Sequence, residues 1–538
     1  MLTKRFERFM VCCLLLMLMV LTACGAMSTP APTREAPIVG TEASELEMAP
    51  TEEFLLADAT ATPSSGENPE ATAPAASNGQ AERDMFFQNY GVNPSIDTED
   101  DNLSTFALDV DTGSYTVARR YVNDGNLPPK DAVRVEEFVN YFDQGYPNPA
   151  EHHAFGINID GATTPFGETE HYQMLRVGIQ GYAVPADQRK DVSLTFVIDV
   201  SGSMDQENRL GLVKQSLELL LEQLGPRDRV AIVVFGSNAH VVLESTPGDQ
   251  KEPILNAIHA LEPEGVTNAA EGLRLGYKLA LENHNSEAIN RVILCSDGVA
   301  NVGDTGAGSI WESIEQSAKN GGTTLATIGF GMGNYNDVLM EQLADHGDGF
   351  YAYVDTIKEA EKLFVQNLTG TLQVIAKDAK VQVKFNKDVV DRYRLVGYEN
   401  RAVADNKFRD NSVDAGEIGA GHSATALYEI KLKPGATGKM VTVFMRWQDP
   451  DTDEVTEISQ DFATDQMAEG FEQSNPYFQW CVVVAEYAEI LRQSYWAQNS
   501  DVGDVLNQAR RIYQLLPENA DRSEFVDLIR QANRFSDH

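Results

Sequence analysis

The chain has 538 residues, 81 of them acidic and 42 basic, for a formal net charge of −39. The length exceeds one ordinary domain, and the 42% apolar content is enough for several cores. The acidic balance excludes nucleic-acid binding, which needs a basic face to displace counterions; it fits an exposed, soluble surface that attracts cations.

Residues 1–24 read as an export signal rather than as part of the fold. Lys4, Arg5 and Arg8 precede the apolar run FMVCCLLLMLMVLTA, too short to span a bilayer comfortably. The run ends in Leu21-Thr22-Ala23-Cys24, which resembles a bacterial lipobox. The resemblance implies that Cys24 is lipidated and becomes the first mature residue. The expected location is therefore the cell envelope, with the chain held to the membrane through its lipid. Gly25 in place of an aspartate favours the outer membrane where the organism has one. Of five cysteines, only Cys295 and Cys481 remain for the folded part, and both apolar contexts predict small core residues.

Residues 25–83 are rich in Pro, Ala, Thr, Ser and Glu without apolar periodicity, the composition of a disordered tether. As a coil it reaches roughly 45 Å. An α+β region is expected over 84–186. In it, STFALDV leads into a helix near Thr112, Leu127-Pro128-Pro129 stops that helix, and AVRVEEFVNYF (132–142) is amphipathic. FGINIDGA and YQMLRVGIQGY then alternate as strands.

From 187 to 370 strands and helices alternate, which predicts a mostly parallel sheet covered on both faces. VSLTFVID (192–199) is a near-continuous apolar strand, as burial on both faces requires. Leu210, Val213, Leu217, Leu220, Leu221 and Leu224 follow on one helical face. Strands RVAIVVFGS, AHVVLES, RVILCSDG, TTLATIGFG and FYAYVD come next, interleaved with helices, the last over 357–370. Residues 371–470 return to alternating strands, and 471–538 are helical. The β segments at 154–186 and 371–470 have similar patterning, which predicts one sandwich with the α/β domain inserted into it.

In an open parallel sheet, ligands bind beyond the carboxyl ends of the strands, where strand order reverses. Three loops bring oxygen donors to that edge: Asp199-x-Ser201-x-Ser203, Thr267 in GVTNAAEGL, and Asp297 directly after VILCS. Two carboxylates and three hydroxyls suit a hard divalent cation, Mg²⁺ first, with Mn²⁺ and Ca²⁺ as alternatives. A set with so little negative charge leaves room for an acidic group from a partner.

The motifs DVSGSM, GVTNAAEGL and SDG, in that order, resemble the metal-ion-dependent adhesion site of von Willebrand factor type A domains. The flanking stretches NPSIDTEDDNLSTFALDVDTGSY and YRLVGYENRAVADNKF resemble those of YfbK-like bacterial lipoproteins. The resemblance implies that Asp199, Ser201, Ser203, Thr267 and Asp297 are the metal-site residues. The hydroxyls would bind directly, the carboxylates often through water, and a partner's Asp or Glu would complete the shell. The expected function is cation-dependent binding of a protein partner, without enzymatic activity.

Other motifs give weaker readings. Asp205 either serves an adjacent cation or favours a helix N-terminus. Asp109-x-Asp111 resembles the acidic pair of haloacid-dehalogenase phosphatases, which makes a metal-dependent hydrolase one alternative; Thr112 falls one place early for that motif, and capping of the next helix by Asp111 or Thr112 is the expected role. A scaffold with a purely structural cation is the other alternative. His422-Ser423 lacks a nucleophile elbow.

Overall fold

The computed structural model describes residues 86–150, 153–166, 172–206, 209–298, 305–331, 335–413 and 415–536. The signal, lipidation and tether readings on residues 1–83, Cys24 included, lie outside them. Among the described residues no helix is long and apolar enough to cross a membrane.

The centre is a six-stranded sheet in the order Tyr351–Val354, Thr324–Phe330, Ile289–Ser296, Val192–Asp199, Arg229–Phe235, Ala239–Pro247. Five strands are parallel and the Ala239–Pro247 edge is antiparallel. Every residue of Val192–Asp199 is buried, because the strand feeds two cores. Phe196 and Ile198 face Val213, Leu217, Leu220 and Ile254 on one side. Val197 faces Leu273, Tyr277 and Ile310 on the other. Fully burying one such side chain contributes about 1.5–3 kcal/mol. The first and fourth strands in chain order lie side by side, so the order reverses between Asp199 and Ser296.

Around this domain the chain builds a β-sandwich from strands on both sides of it in sequence. One sheet runs Ile96–Asp97, Val390–Val396, Ser423–Leu432, Tyr172–Gly181, Phe155–Thr163. The other runs Gly416–Gly419, Val374–Phe385, Lys439–Gln448, Val455–Ala463, with Leu103–Ala107 also paired to Val374–Phe385. Tyr172–Gly181 pairs antiparallel with Ser423–Leu432, so strands from before and after the α/β domain share one sheet. Leu175, Val177 and Ile179 meet Val381, Val383 and Val443 in the sandwich core.

Helices Gly113–Asn123 and Val135–Asn140 pack with the C-terminal helices Pro476–Leu491, Val502–Tyr513 and Ala520–Ser536. Phe142, Trp480 and Phe525 meet edge to face at the centre of that bundle. The Gly113–Asn123 helix also covers the Tyr351–Val354 edge of the central sheet: Val117 and Tyr121 pack beside Tyr353, and Thr116 Oγ1 donates to the Tyr353 carbonyl at 3.0 Å. Arg119 fastens this contact. Its Nε donates to Asp355 Oδ2 at 3.0 Å and its Nη2 to Glu359 Oε2 at 2.8 Å, all buried. Covering the edge also removes a pairing site for another chain.

The helix expected over 357–370 is interrupted. It runs as Ile357–Glu361, then a π-turn over Lys362–Gln366, then Leu368–Leu372. Lys362 lies at the break; its Nζ sits 3.3 Å from the centroid of the Tyr141 ring and donates to the Tyr141 carbonyl at 3.0 Å. The break thus falls where this segment is held by the N-terminal helices, a contact that local periodicity does not encode.

Candidate metal site

The Val192–Asp199 strand delivers Asp199 to the carboxyl edge of the sheet. Asp199 Oδ1 accepts the Ser201 N–H at 2.9 Å, which turns the chain so that Ser201 and Ser203 follow in the same loop. Asp199 Oδ2 accepts the Ser296 hydroxyl at 2.7 Å, and Ser296 Oγ in turn accepts the Gly298 N–H at 3.0 Å. The loops after the first and fourth strands are therefore joined through Ser296. The Ser201 and Ser203 hydroxyl oxygens are 3.0 Å apart.

The third loop is tied to the first by main chain. Gly202 N–H donates to the Gly265 carbonyl at 3.1 Å, and Glu264 N–H donates to the Val200 carbonyl. Gly265 has φ +71°, and a Cβ there would lie 1.9 Å from Ser237 Oγ, so glycine is required for this approach. Asn268 caps the helix Ala269–Glu282 by accepting from Glu271 N–H, which fixes the residue after Thr267. Thr267 is buried.

Asp297 is fully buried. Its Oδ2 accepts from Arg209 Nη1 at 2.8 Å, and the same nitrogen donates to the Ser203 carbonyl at 2.9 Å. Burial, then the neighbouring Asp297 charge, push the Asp199 carboxyl up to about 7, against the opposing hydrogen bonds from Ser201 and Ser296. A divalent cation placed between the two carboxylates would relieve that crowding of negative charge.

The donor set fits a hard cation. Adjacent oxygens on six-coordinate Mg²⁺, with bonds of about 2.1 Å, lie about 3 Å apart, and the two serine oxygens already hold that spacing. Among the described residues there is no group of three or more His, Cys, Asp or Glu suited to a metal; a site of two carboxylates and three hydroxyls has no need of one. Asp205 ends the 3₁₀ turn Gly202–Asp205 and is exposed.

Two residues of this edge escape a reading of motifs. Ser296 was open to notice, as a hydroxyl just before Asp297. Arg209 carries no motif signal; the structure sets it at the N-cap of Leu210–Leu221, where the macrodipole disfavours a cation.

The Asp109–Asp111 pair has a different role from capping. Thr112, the N-cap of Gly113–Asn123, makes no side-chain cap. Asp109 Oδ2 accepts from Arg401 Nε at 3.0 Å, while Asp111 Oδ1 accepts the Tyr351 N–H at 3.1 Å. Arg401 also meets Asp345 and Glu341. The pair is a buried clasp between the sandwich and the central domain, held by an arginine about three hundred positions away in sequence.

Family models agree with this architecture. Models described as von Willebrand factor, von Willebrand factor type A domain, and YfbK C-terminal match residues 81–176, 194–299, and 370–439 with 433–535, respectively. YfbK of Escherichia coli (strain K12), itself described as uncharacterized, is 34% identical over 477 residues, 84% of this chain and 81% of that protein. The chain belongs to the YfbK family of von Willebrand factor type A domain proteins. Inter-alpha-trypsin inhibitor heavy chain H3 of Homo sapiens is 30% identical over 174 residues, covering 30% of this chain and 19% of that one. Among solved structures, a von Willebrand factor type A protein from Catenulispora acidiphila aligns with TM-score 0.41 and 15% identity, over 72% of this chain and 91% of that one. Type A domains mediate protein–protein interaction and commonly hold a divalent cation at the metal-ion-dependent adhesion site.

Proposed function

We propose that this protein is a lipid-anchored envelope protein that binds an acidic protein partner through a divalent cation held by Asp199, Ser201, Ser203, Thr267 and Asp297. The observation that carries the reading is the joining of three loops at one strand-order reversal, with the Ser201 and Ser203 hydroxyls 3.0 Å apart. Ser296 and the Ser201 N–H orient the Asp199 carboxylate before any ligand arrives. The Gly202–Gly265 main-chain bond holds the Thr267 loop against the serines. A bound Mg²⁺ supplies positive charge and an open coordination position that suits a carboxylate. On this reading the task of the edge is recognition rather than chemistry. Lipidated Cys24 and the Pro- and Ala-rich stretch 25–83 would set the site away from the membrane.

The test is retention of envelope proteins on immobilised full-length protein, with Mg²⁺ or EDTA, against D199A. A partner retained with Mg²⁺ and lost both in EDTA and on D199A is expected. A partner retained equally in EDTA contradicts the reading.

A further inference from the structure

Arg209 is a built part of the site that no adhesion motif assigns. Its side chain is 2% exposed and that of Asp297 is 0% exposed, so the pair is removed from solvent. Its path depends on Gly331, which has φ +84°: a Cβ at 331 would lie 2.4 Å from Arg209 Cγ and 2.5 Å from Nε. Main chain at the end of the Thr324–Phe330 strand has therefore been kept bare to let the arginine through. The residue opens the helix Leu210–Leu221, at the end where the dipole opposes a cation. A burial and a position both unfavourable to a cation are offset by what Nη1 does, which is to bind Asp297 and the Ser203 carbonyl together.

Resting on the metal-site reading, we propose that Arg209 is the resident counter-cation of the site, weakening it for the bare cation and strengthening the loaded site for the partner's carboxylate. The charge balance gives the mechanism. Asp199, Asp297 and Arg209 together carry one net negative charge when ionised. A divalent cation turns this into one net positive charge, and a carboxylate then brings it to zero. Without Arg209 the cation alone neutralises the site, and a carboxylate leaves it negative. Arg209 thus lowers affinity for the bare cation and raises affinity of the loaded site for an anion, so that tight loading needs the carboxylate as well. In the cation-free protein the same guanidinium keeps Asp297 paired.

The experiment is Mn²⁺ titration, by calorimetry and by Mn²⁺ electron paramagnetic resonance, of full-length protein in detergent as wild type, R209M and R209K, each with and without acetate as the carboxylate probe. For wild type and R209K, acetate tightens Mn²⁺ binding several-fold. R209M binds Mn²⁺ about tenfold more tightly without acetate and gains less than wild type from the same acetate concentration, as loss of one nearby positive charge requires. In EDTA, R209M melts earlier than wild type by circular dichroism and recovers with Mn²⁺. Should R209M not fold, R209Q, which keeps a donor beside Asp297, serves the same comparison. Equal or weaker Mn²⁺ binding by a folded neutral variant overturns the counter-cation role while leaving the metal site standing. Absence of Mn²⁺ binding by wild type overturns both.

Discussion

Ser296 and Asp199, 97 positions apart in sequence, share a 2.7 Å hydrogen bond that joins the ends of neighbouring strands. It follows from the register, which sets Ile198 opposite Cys295 and so places the next residue of each strand side by side. S296A removes a donor to a buried carboxylate and the acceptor of the Gly298 N–H. A loss of about 2 kcal/mol in unfolding free energy is expected in urea titration. Weaker Mn²⁺ binding should accompany it, because Asp199 loses one of the two bonds that aim it. An unchanged urea midpoint would contradict this.

Arg119 fastens the N-terminal helix to the central domain through Asp355 and Glu359. R119M strands these carboxylates, of which Asp355 is almost wholly buried. A cost of about 3–5 kcal/mol follows for a broken buried ion pair. The check is urea unfolding with limited proteolysis, where cleavage should first increase beside residues 113–123.

The pH dependence of stability should include a step from His422. Both ring nitrogens lie against main chain, near Gly370 and Gly419. Burial first, then the Arg291 charge, lower its pKa from 6.5 to about 4. The unfolded chain therefore takes up a proton between those values that the folded chain refuses. Stability is full above pH 6.5 and falls as pH drops toward 4, by up to about 3 kcal/mol. His422 as a residue keeps some solvent contact, which trims that figure. H422N should flatten this part of the curve; an unchanged slope would remove His422 as its cause.

Cys295 and Cys481 are free and buried, and burial pushes both thiols up, Cys481 to about 12. Neither forms the reactive thiolate at neutral pH. Iodoacetamide followed by peptide mass spectrometry should label both only after denaturation.

Much of the fold could be read from local pattern. The near-continuous apolar run of Val192–Asp199 and the leucine stripe of Leu210–Leu221 are properties of neighbouring residues, and both elements are where the pattern put them. That Asp199 and Asp297 stand at strand ends and Thr267 in a glycine-bearing loop was legible because strand ends and loop glycines announce themselves in sequence. Arg209 and Arg401 were not, because an arginine that reaches Asp297 or Asp109 across the fold looks in sequence like any surface arginine. Asp111 looked like a helix cap for the same reason: the arginine that claims it together with Asp109 lies in the sandwich, far along the chain. The π-turn at Lys362–Gln366 is likewise set by a tertiary contact, with Tyr141.

The central claim is that the Asp199 edge holds a divalent cation. Calorimetric titration of Mn²⁺ into the full-length protein and into D199A tests it most directly. Saturable binding by the wild type that D199A abolishes, with the variant still folded by circular dichroism, is the predicted result. Equal binding by the two proteins, or none by the wild type, would contradict it.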